Sequence, residues 1–135
     1  MTREPCRVLV VDDSWYIQQL VAAALEPMGY EVLLAGTIQA ALETYHRERP
    51  DVVLMDLVLP HSDGLSGIAR LREIDPQVRV VVLSGLTDDA IRRTAQEAGA
   101  SVFLSKPLST SRLIEAIEAS QFGDAPVAQG LQASG

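Results

Sequence analysis

Five polar side chains that could act together each follow a short apolar run. Asp12 and Asp13 follow one run, and Asp56, Ser84 and Lys106 each follow another. In a sheet of parallel strands the carboxyl ends all face one edge, and open α/β sheets bind their ligands at that edge. We therefore expect three carboxylates, a hydroxyl and an ammonium group to meet at one rim of a sheet.

The charges of this set predict a metal site. Three neighbouring carboxylates repel one another, and Lys106 supplies a single positive charge. A negatively charged site with oxygen ligands suits a hard divalent cation that keeps several waters, which indicates Mg²⁺ (or Mn²⁺). Beside such a cation the Asp56 carboxylate could attack a phosphoryl group, because carboxylates form phosphoryl intermediates. Lys106 would contact the phosphoryl oxygens, and the Ser84 hydroxyl would donate a hydrogen bond.

Lys106 stands out in the composition. It is the only lysine, although Lys and Arg together number 11. A single lysine in an arginine-rich chain indicates a position that needs a compact ammonium group rather than a planar guanidinium. Chance in an arginine-rich composition is the alternative interpretation of this count.

Five apolar segments predict the strands that would position these side chains. The segments cover residues 7–11, 31–35, 52–56, 78–83 and 101–104. Residues 52–55 form an unbroken apolar run, which is typical of a strand buried on both faces. Between the strands, apolar residues recur at helical spacing and predict five helices that begin near Ser14, Thr37, Leu65, Thr87 and Ser109. This alternation predicts a parallel sheet with helices on both faces.

The composition bounds the class of protein. A chain of 135 residues with 47% hydrophobic residues is long and apolar enough for one domain with a core. Its net charge of -7 disfavours direct nucleic-acid binding, and no apolar run approaches the roughly 20 residues that span a bilayer. A lone cysteine, Cys6, forms no internal disulfide and indicates the cytoplasm. We expect residues 1–120 to form the domain and residues 121–135, rich in small and polar residues, to form a flexible tail or truncated linker.

Four motifs, in order along the chain, resemble the receiver domains of two-component response regulators, such as the chemotaxis regulator. They are VLVVDDS at 8–14, VVLMDLVLPHSDGL at 52–65, VVLSG at 81–85 and LSKPL at 104–108. The resemblance covers about residues 6–120. It implies a flavodoxin-like, doubly wound α/β fold: a five-stranded parallel sheet with strand order 2-1-3-4-5 and helices on both faces.

The resemblance also implies roles at the rim. Asp12 and Asp13 would hold Mg²⁺, with Asp13 the more direct ligand. Asp56 would accept a phosphoryl group from the phosphohistidine of a histidine kinase or histidine phosphotransfer protein, and would also bind the metal. The backbone carbonyl of Val58 would complete the protein ligands. The chain would then be a signalling phosphoacceptor and not an enzyme, since it catalyses only its own phosphorylation and dephosphorylation.

A switch is implied by the same resemblance. Ser84 would turn towards the phosphoryl group, Lys106 would pair with it, and Phe103 would move inward when Ser84 moves. Pro107 resembles the family's proline after the lysine, which often follows a cis peptide bond. The altered face would comprise the fourth helix, fifth strand and fifth helix, would carry Ile91, Ala95, Phe103 and Leu108, and would bind an output protein or domain, or a second copy in a homodimer.

Three other functions stay open at this stage. A receiver-like module that is never phosphorylated would have the same fold. An aspartate-nucleophile phosphatase would carry D-x-D after its first strand, whereas this chain has adjacent Asp12 and Asp13. A flavodoxin would cradle a phosphate in its first loop, and the two acids would repel that phosphate.

Two apolar residues depart from the polar pattern that speeds hydrolysis in the family. Val58 and Leu86 lie two residues after Asp56 and Ser84. These positions flank the path of a water that attacks an aspartyl phosphate, and neither side chain can orient that water. We therefore expect a comparatively long-lived phosphorylated state.

Overall fold

A computed structural model describes residues 6–59, 62–85, 89–106 and 109–122, and five parallel strands form its main sheet. These are β1 (Arg7–Val11), β2 (Glu31–Ala35), β3 (Val52–Asp56), β4 (Val80–Ser84) and β5 (Val102–Ser105). They lie in the order β2-β1-β3-β4-β5, which confirms the expected order 2-1-3-4-5. The central position of β3 explains its unbroken apolar run, because both of its faces are covered by helices.

Five helices connect the strands. They are α1 (Trp15–Leu25), α2 (Ile38–Glu48), α3 (Gly64–Ile74), α4 (Asp89–Ala98) and α5 (Thr110–Phe122). Hydroxyl caps set three of the starts: the side chains of Ser14, Thr37 and Ser109 accept backbone N–H bonds from Ile17, Ala40 and Arg112. A predicted start of the fourth helix at Thr87 lies outside the described residues.

The core has two layers, one on each face of the sheet. On one face, Leu9, Val53 and Val82 of the strands pack with buried residues of α2, α3 and α4. On the other face, alternate strand residues such as Leu54 and Leu83 pack with residues of α1 and α5. Each fully buried aliphatic side chain contributes about 1.5–3 kcal/mol relative to exposure. The two layers hold the strand ends, and therefore the rim, in place.

The structure differs from the predicted elements in local detail. The last turn after α1, Glu26–Met28, is a 3₁₀ helix, because Pro27 has no N–H for an α-helical bond. β4 begins two residues later than predicted, since Val78 instead closes a turn onto the Asp75 carbonyl. The segment predicted as a loop after β3 holds a short antiparallel pair, Val58–Leu59 with Ser62–Asp63, which is too brief to leave a periodic pattern.

In the described part of the chain, every helix is too short or too polar to cross a bilayer.

Candidate functional site

The carboxyl edge of the sheet brings the predicted acidic residues together. Asp12 directly follows β1, Asp56 is the last residue of β3, and Asp13 continues from Asp12 towards α1. One carboxylate oxygen from each of these residues lies within 4.8 Å of the others. Strands β1 and β3 are direct neighbours in the sheet, which explains why residues 44 positions apart in the chain meet here.

Asp12 is fully buried, and its polar groups are paired. Its Oδ1 accepts a hydrogen bond from the Ser14 backbone N–H at 2.9 Å, and its Oδ2 lies 3.2 Å from Nζ of Lys106. Its own N–H donates to the Ala35 carbonyl at 3.1 Å, at the end of β2. A buried carboxylate is costly unless such partners compensate it. The contacts therefore fix this side chain at the rim.

The Asp56 carboxylate is also buried, but its contacts compensate its negative charge less fully than those of Asp12 do. Its Oδ1 accepts the Val58 backbone N–H at 3.1 Å, and its Oδ2 lies 3.5 Å from Nζ of Lys106. Burial is the main cause that raises the pKa of Asp56, and the charge of Asp12 raises it further. The Val58 N–H and the Lys106 ammonium group oppose this shift. The carboxylate is thus held in place while its negative charge is not fully satisfied.

Lys106 joins the two buried carboxylates. Its ammonium group reaches both Asp12 and Asp56 from the end of β5, and its side chain is three-quarters buried. Its backbone N–H donates to the Ser84 carbonyl at 2.8 Å, which ties the loop after β5 to the end of β4. One ammonium against three carboxylates leaves an excess of negative charge. The donor set, all hard oxygens, therefore fits a divalent cation such as Mg²⁺.

Ser84 and Phe103 lie on the two strands that approach Lys106. Ser84 is the buried last residue of β4 and pairs in register with Ser105 of β5. Phe103 is buried between the sheet and α4, and the Arg92 guanidinium lies 5.1 Å from the centre of its ring. Ala95, which the sequence also places on the switching face, is fully buried. In this conformation the side chains of Phe103 and Ala95 therefore lie beneath the expected switching face and not on its exposed surface.

Several expected positions lie at the surface or outside the described residues. The side chains of Val58 and Trp15 are exposed, Trp15 by 72% at the start of α1. The predictions made for Leu86, Pro107 and Leu108 fall outside the described residues.

The sequence analysis did not predict the contacts that three residues make around the site. A Cβ on Gly64 would overlap the carbonyl oxygen of Asp56, so only glycine lets α3 begin against β3. Gln18 of α1 donates to the backbone carbonyl of Asp12, and Arg92 covers Phe103. Gly64 gave a turn signal, but a long-range contact of this kind leaves no mark in a single sequence.

Cys6 lies directly before β1, at the end of the sheet opposite the acidic cluster. Its thiol accepts a hydrogen bond from the Gln121 side chain at 3.2 Å. Burial, assisted by the charge of Asp51, raises the pKa of Cys6 to about 11. The thiol is therefore protonated at neutral pH, which agrees with a structural rather than a reactive role.

Comparison with known proteins points to one family. The family model described as response regulator receiver domain matches residues 8–118. Chemotaxis protein CheY of Thermotoga maritima is 35% identical over 112 residues, which cover 82% of this chain and 93% of that protein.

Solved structures agree with this result. A response regulator of Burkholderia pseudomallei, with a phosphorylated aspartic acid, calcium ion and citrate, is 30% identical with a TM-score of 0.81; the match covers 95% of this chain and 71% of that chain. A chain of the CheX–CheY–BeF₃–Mg²⁺ complex of Borrelia burgdorferi is 26% identical with a TM-score of 0.82, covering 89% of this chain and 91% of that chain.

Proposed function

This chain belongs to the response regulator receiver domain family, and from that membership we propose that it is a phosphoacceptor in a two-component phosphorelay, with Asp56 as the acceptor. One observation carries the proposal: the Asp56 carboxylate lies at the end of the central strand, 3.5 Å from the only lysine of the chain and beside two further carboxylates. This arrangement provides a nucleophile and a cation for phosphoryl oxygens in one place.

Asp12, Asp13, Asp56 and the backbone carbonyl of Val58 would hold Mg²⁺ (or Mn²⁺). The excess negative charge of the cluster and its hard oxygen atoms support this assignment. When bound, the cation would neutralise charge on the phosphoryl oxygens. Support also comes from a relative: the matched Borrelia burgdorferi complex contains Mg²⁺ and BeF₃.

In the proposed transfer, an Asp56 carboxylate oxygen attacks the phosphorus of a phosphohistidine on a histidine kinase or phosphotransfer protein. The new P–O bond forms as the P–N bond breaks, and its electron pair stays on the imidazole nitrogen, which takes up a proton. Lys106, already near Asp56, pairs with a phosphoryl oxygen, and the Ser84 hydroxyl donates to another. The phosphorylated aspartic acid in the Burkholderia pseudomallei regulator supports an aspartate as acceptor.

Phosphorylation would then act as a switch. It adds about 1.5 to 2 negative charges to the rim. Ser84 and Lys106 are drawn towards this charge, and Phe103 repacks beneath Arg92. The surface of α4, β5 and α5 changes as a result, and it binds an output protein or domain, or a second copy of the chain. The proposed setting is the cytoplasm, without direct nucleic-acid contact or membrane insertion, and with no catalysis beyond the chain's own phosphorylation and dephosphorylation.

Intact-mass measurement tests the proposal. The purified chain is incubated with Mg²⁺ and acetyl phosphate, and with acetyl phosphate alone after metal removal. We expect the mass of one phosphoryl group to be added only with Mg²⁺, and not in Asp56→Asn. The matched control Asp51→Asn changes an exposed aspartate outside the site and should still be phosphorylated. No added phosphate would contradict the proposal and favour the interaction module that is never phosphorylated. Phosphate on another residue would contradict Asp56 as the acceptor.

A further inference from the structure

Gln18 makes a contact within the site that none of the motifs predicts. It lies one turn into α1, and its backbone N–H donates to the Ser14 carbonyl at 3.0 Å. Its side-chain amide turns back and donates to the backbone carbonyl of Asp12 at 2.7 Å. The residue therefore connects the body of α1 to the turn that carries the acid pair.

The carbonyl that Gln18 holds belongs to the peptide unit between Asp12 and Asp13. The other polar groups of Asp12 are bonded to Ala35, Ser14 and Lys106: the Ala35 and Lys106 contacts hold Asp12 itself, and the Ser14 N–H bond holds the peptide unit after Asp13. The orientation of the Asp12–Asp13 peptide plane depends on the hydrogen bond that its carbonyl oxygen accepts from Gln18. Because a peptide unit is planar, holding the oxygen also fixes the direction in which the chain continues to Asp13.

Asp13 depends on this restraint more than Asp12 does. Within the described part of the chain, the exposed Asp13 side chain makes no hydrogen bond or ion pair. Its carboxylate nevertheless lies within 4.8 Å of the Asp12 and Asp56 oxygens. Its place in the cluster therefore comes from the backbone on either side of it: Gln18 holds the Asp12–Asp13 peptide unit, and the Asp12 carboxylate holds the N–H of Ser14.

We propose that Gln18 is a positioning residue for the metal site: its amide bond to the Asp12 carbonyl presents Asp13 to the cation. The inference rests on the metal site of the proposed function, and it adds a residue of α1 that is not among the proposed ligands. Contacts outside the ligand set that orient ligands commonly change metal affinity by about 10–100-fold.

The test measures metal affinity and stability separately in the full chain. Gln18→Met keeps the length of the side chain and removes its N–H donors. Gln19→Met makes the same change at the next position of α1, where the side chain is exposed. Mn²⁺ binding is followed through the electron paramagnetic resonance signal of the free ion. The urea midpoint without metal reports any structural damage.

We expect the Mn²⁺ dissociation constant of Gln18→Met to rise by about tenfold, the lower end of such effects, and that of Gln19→Met to stay unchanged. A merely structural role would lower the urea midpoint of Gln18→Met and leave the dissociation constant of the folded protein at the wild-type value, and that result would overturn the inference. If Gln18→Met does not fold, Gln18→Ala is measured instead, since a water can reach the Asp12 carbonyl there; wild-type affinity in that variant also overturns it.

The outcome is separable from that of the phosphoacceptor proposal. Weaker Mn²⁺ binding in the Gln18 variants, together with no phosphate on Asp56, would support the role of Gln18 and contradict the phosphoacceptor role. A wild-type chain that binds no Mn²⁺ would overturn the role of Gln18. Phosphorylation of Asp56 with unchanged Mn²⁺ affinity in Gln18→Met would leave the phosphoacceptor role in place and overturn this one.

Discussion

The side chain of Val58 is 64% exposed at the rim, two residues after Asp56, whose carboxylate accepts the Val58 N–H. A water that hydrolyses an aspartyl phosphate would approach beside this apolar surface. Val58 offers no hydrogen bond to orient it, and Leu86 is equally apolar. At the scale of single residues, the lifetime of the signal is therefore expected to depend on these two positions.

We predict that Val58→Asn combined with Leu86→Glu speeds loss of phosphate from Asp56 by about tenfold or more, because polar side chains can position and deprotonate the water. The rate is measured by following intact mass after the donor is removed. Val58→Leu combined with Leu86→Met keeps both positions apolar and should retain the slow rate. An unchanged rate in the polar double variant would disprove the proposed cause of a long lifetime.

Gly64 shows how one residue limits where an element can begin. Its N–H donates to the Leu57 carbonyl at 3.0 Å, and a Cβ there would overlap the Asp56 carbonyl oxygen and stand 2.9 Å from Cα of Leu57. These backbone atoms lie at the end of β3 and cannot move without disturbing that strand. The start of α3 and the position of Asp56 are thus coupled by a close backbone contact.

We predict that Gly64→Ala lowers the free energy of unfolding by about 1–3 kcal/mol, the usual cost of overpacking. Gly85→Ala is the matched control, because a Cβ at that position meets no atom within 4 Å. Urea denaturation of both variants without metal gives the comparison. Equal stability of the two variants would show that the contact between α3 and β3 is not restrictive.

At the scale of elements, the apolar runs predicted each of the five strands to within two residues, since burial on both faces leaves a strong local pattern. The edge at which the five polar residues meet followed from parallel topology alone. The contacts of Gln18 with the Asp12 backbone and of Arg92 with Phe103 could not be predicted. They depend on how a helix is rotated against the sheet, and a single sequence does not specify that rotation.

The end of α2 is joined to the turn after α3 by a buried tyrosine. The Tyr45 hydroxyl donates to Oδ2 of Asp75 at 2.7 Å, and the Arg49 guanidinium lies over the Tyr45 ring at 5.6 Å. The Tyr45 hydrogen bond is the main cause that lowers the pKa of Asp75, and the Gln77 N–H also lowers it. A lowered carboxyl pKa stabilises the fold above the unfolded-state pKa, and this stability is lost as the pH falls through the folded-state pKa.

We predict that Tyr45→Phe lowers the free energy of unfolding at pH 7 by about 1 kcal/mol, less than a fully buried charged hydrogen bond because Asp75 is partly exposed. The difference from the wild type should shrink as the pH falls through the lowered folded-state pKa of Asp75, because the carboxyl group is then protonated in both proteins. Urea denaturation at pH 7 and across the acidic range measures it. Tyr16→Phe, at an exposed position, should match the wild type throughout. A difference that does not depend on pH would mean that the carboxylate is not involved.

At the scale of the whole molecule, the proposed metal links the rim to the stability of the fold. The chain carries a net charge of -7, and three of its carboxylates crowd at one end of the sheet around a single lysine. This cluster requires the folded sheet, because β1 and β3 bring the carboxylates together. A cation that binds only the folded chain raises the free energy of unfolding in proportion to the logarithm of its concentration once the site is nearly saturated.

We predict that Mg²⁺ at one hundred times its dissociation constant raises the free energy of unfolding by about 2.7 kcal/mol. NaCl at equal ionic strength separates this effect from general screening and should give a much smaller change. Asp13→Asn is the decisive variant: Asp13 is exposed and unpaired in the described structure, so its metal-free stability should stay near the wild-type value while most of the Mg²⁺ increment disappears. An equal increment in Asp13→Asn would show that the cation binds elsewhere on the acidic surface, and the metal site would have to be reassigned.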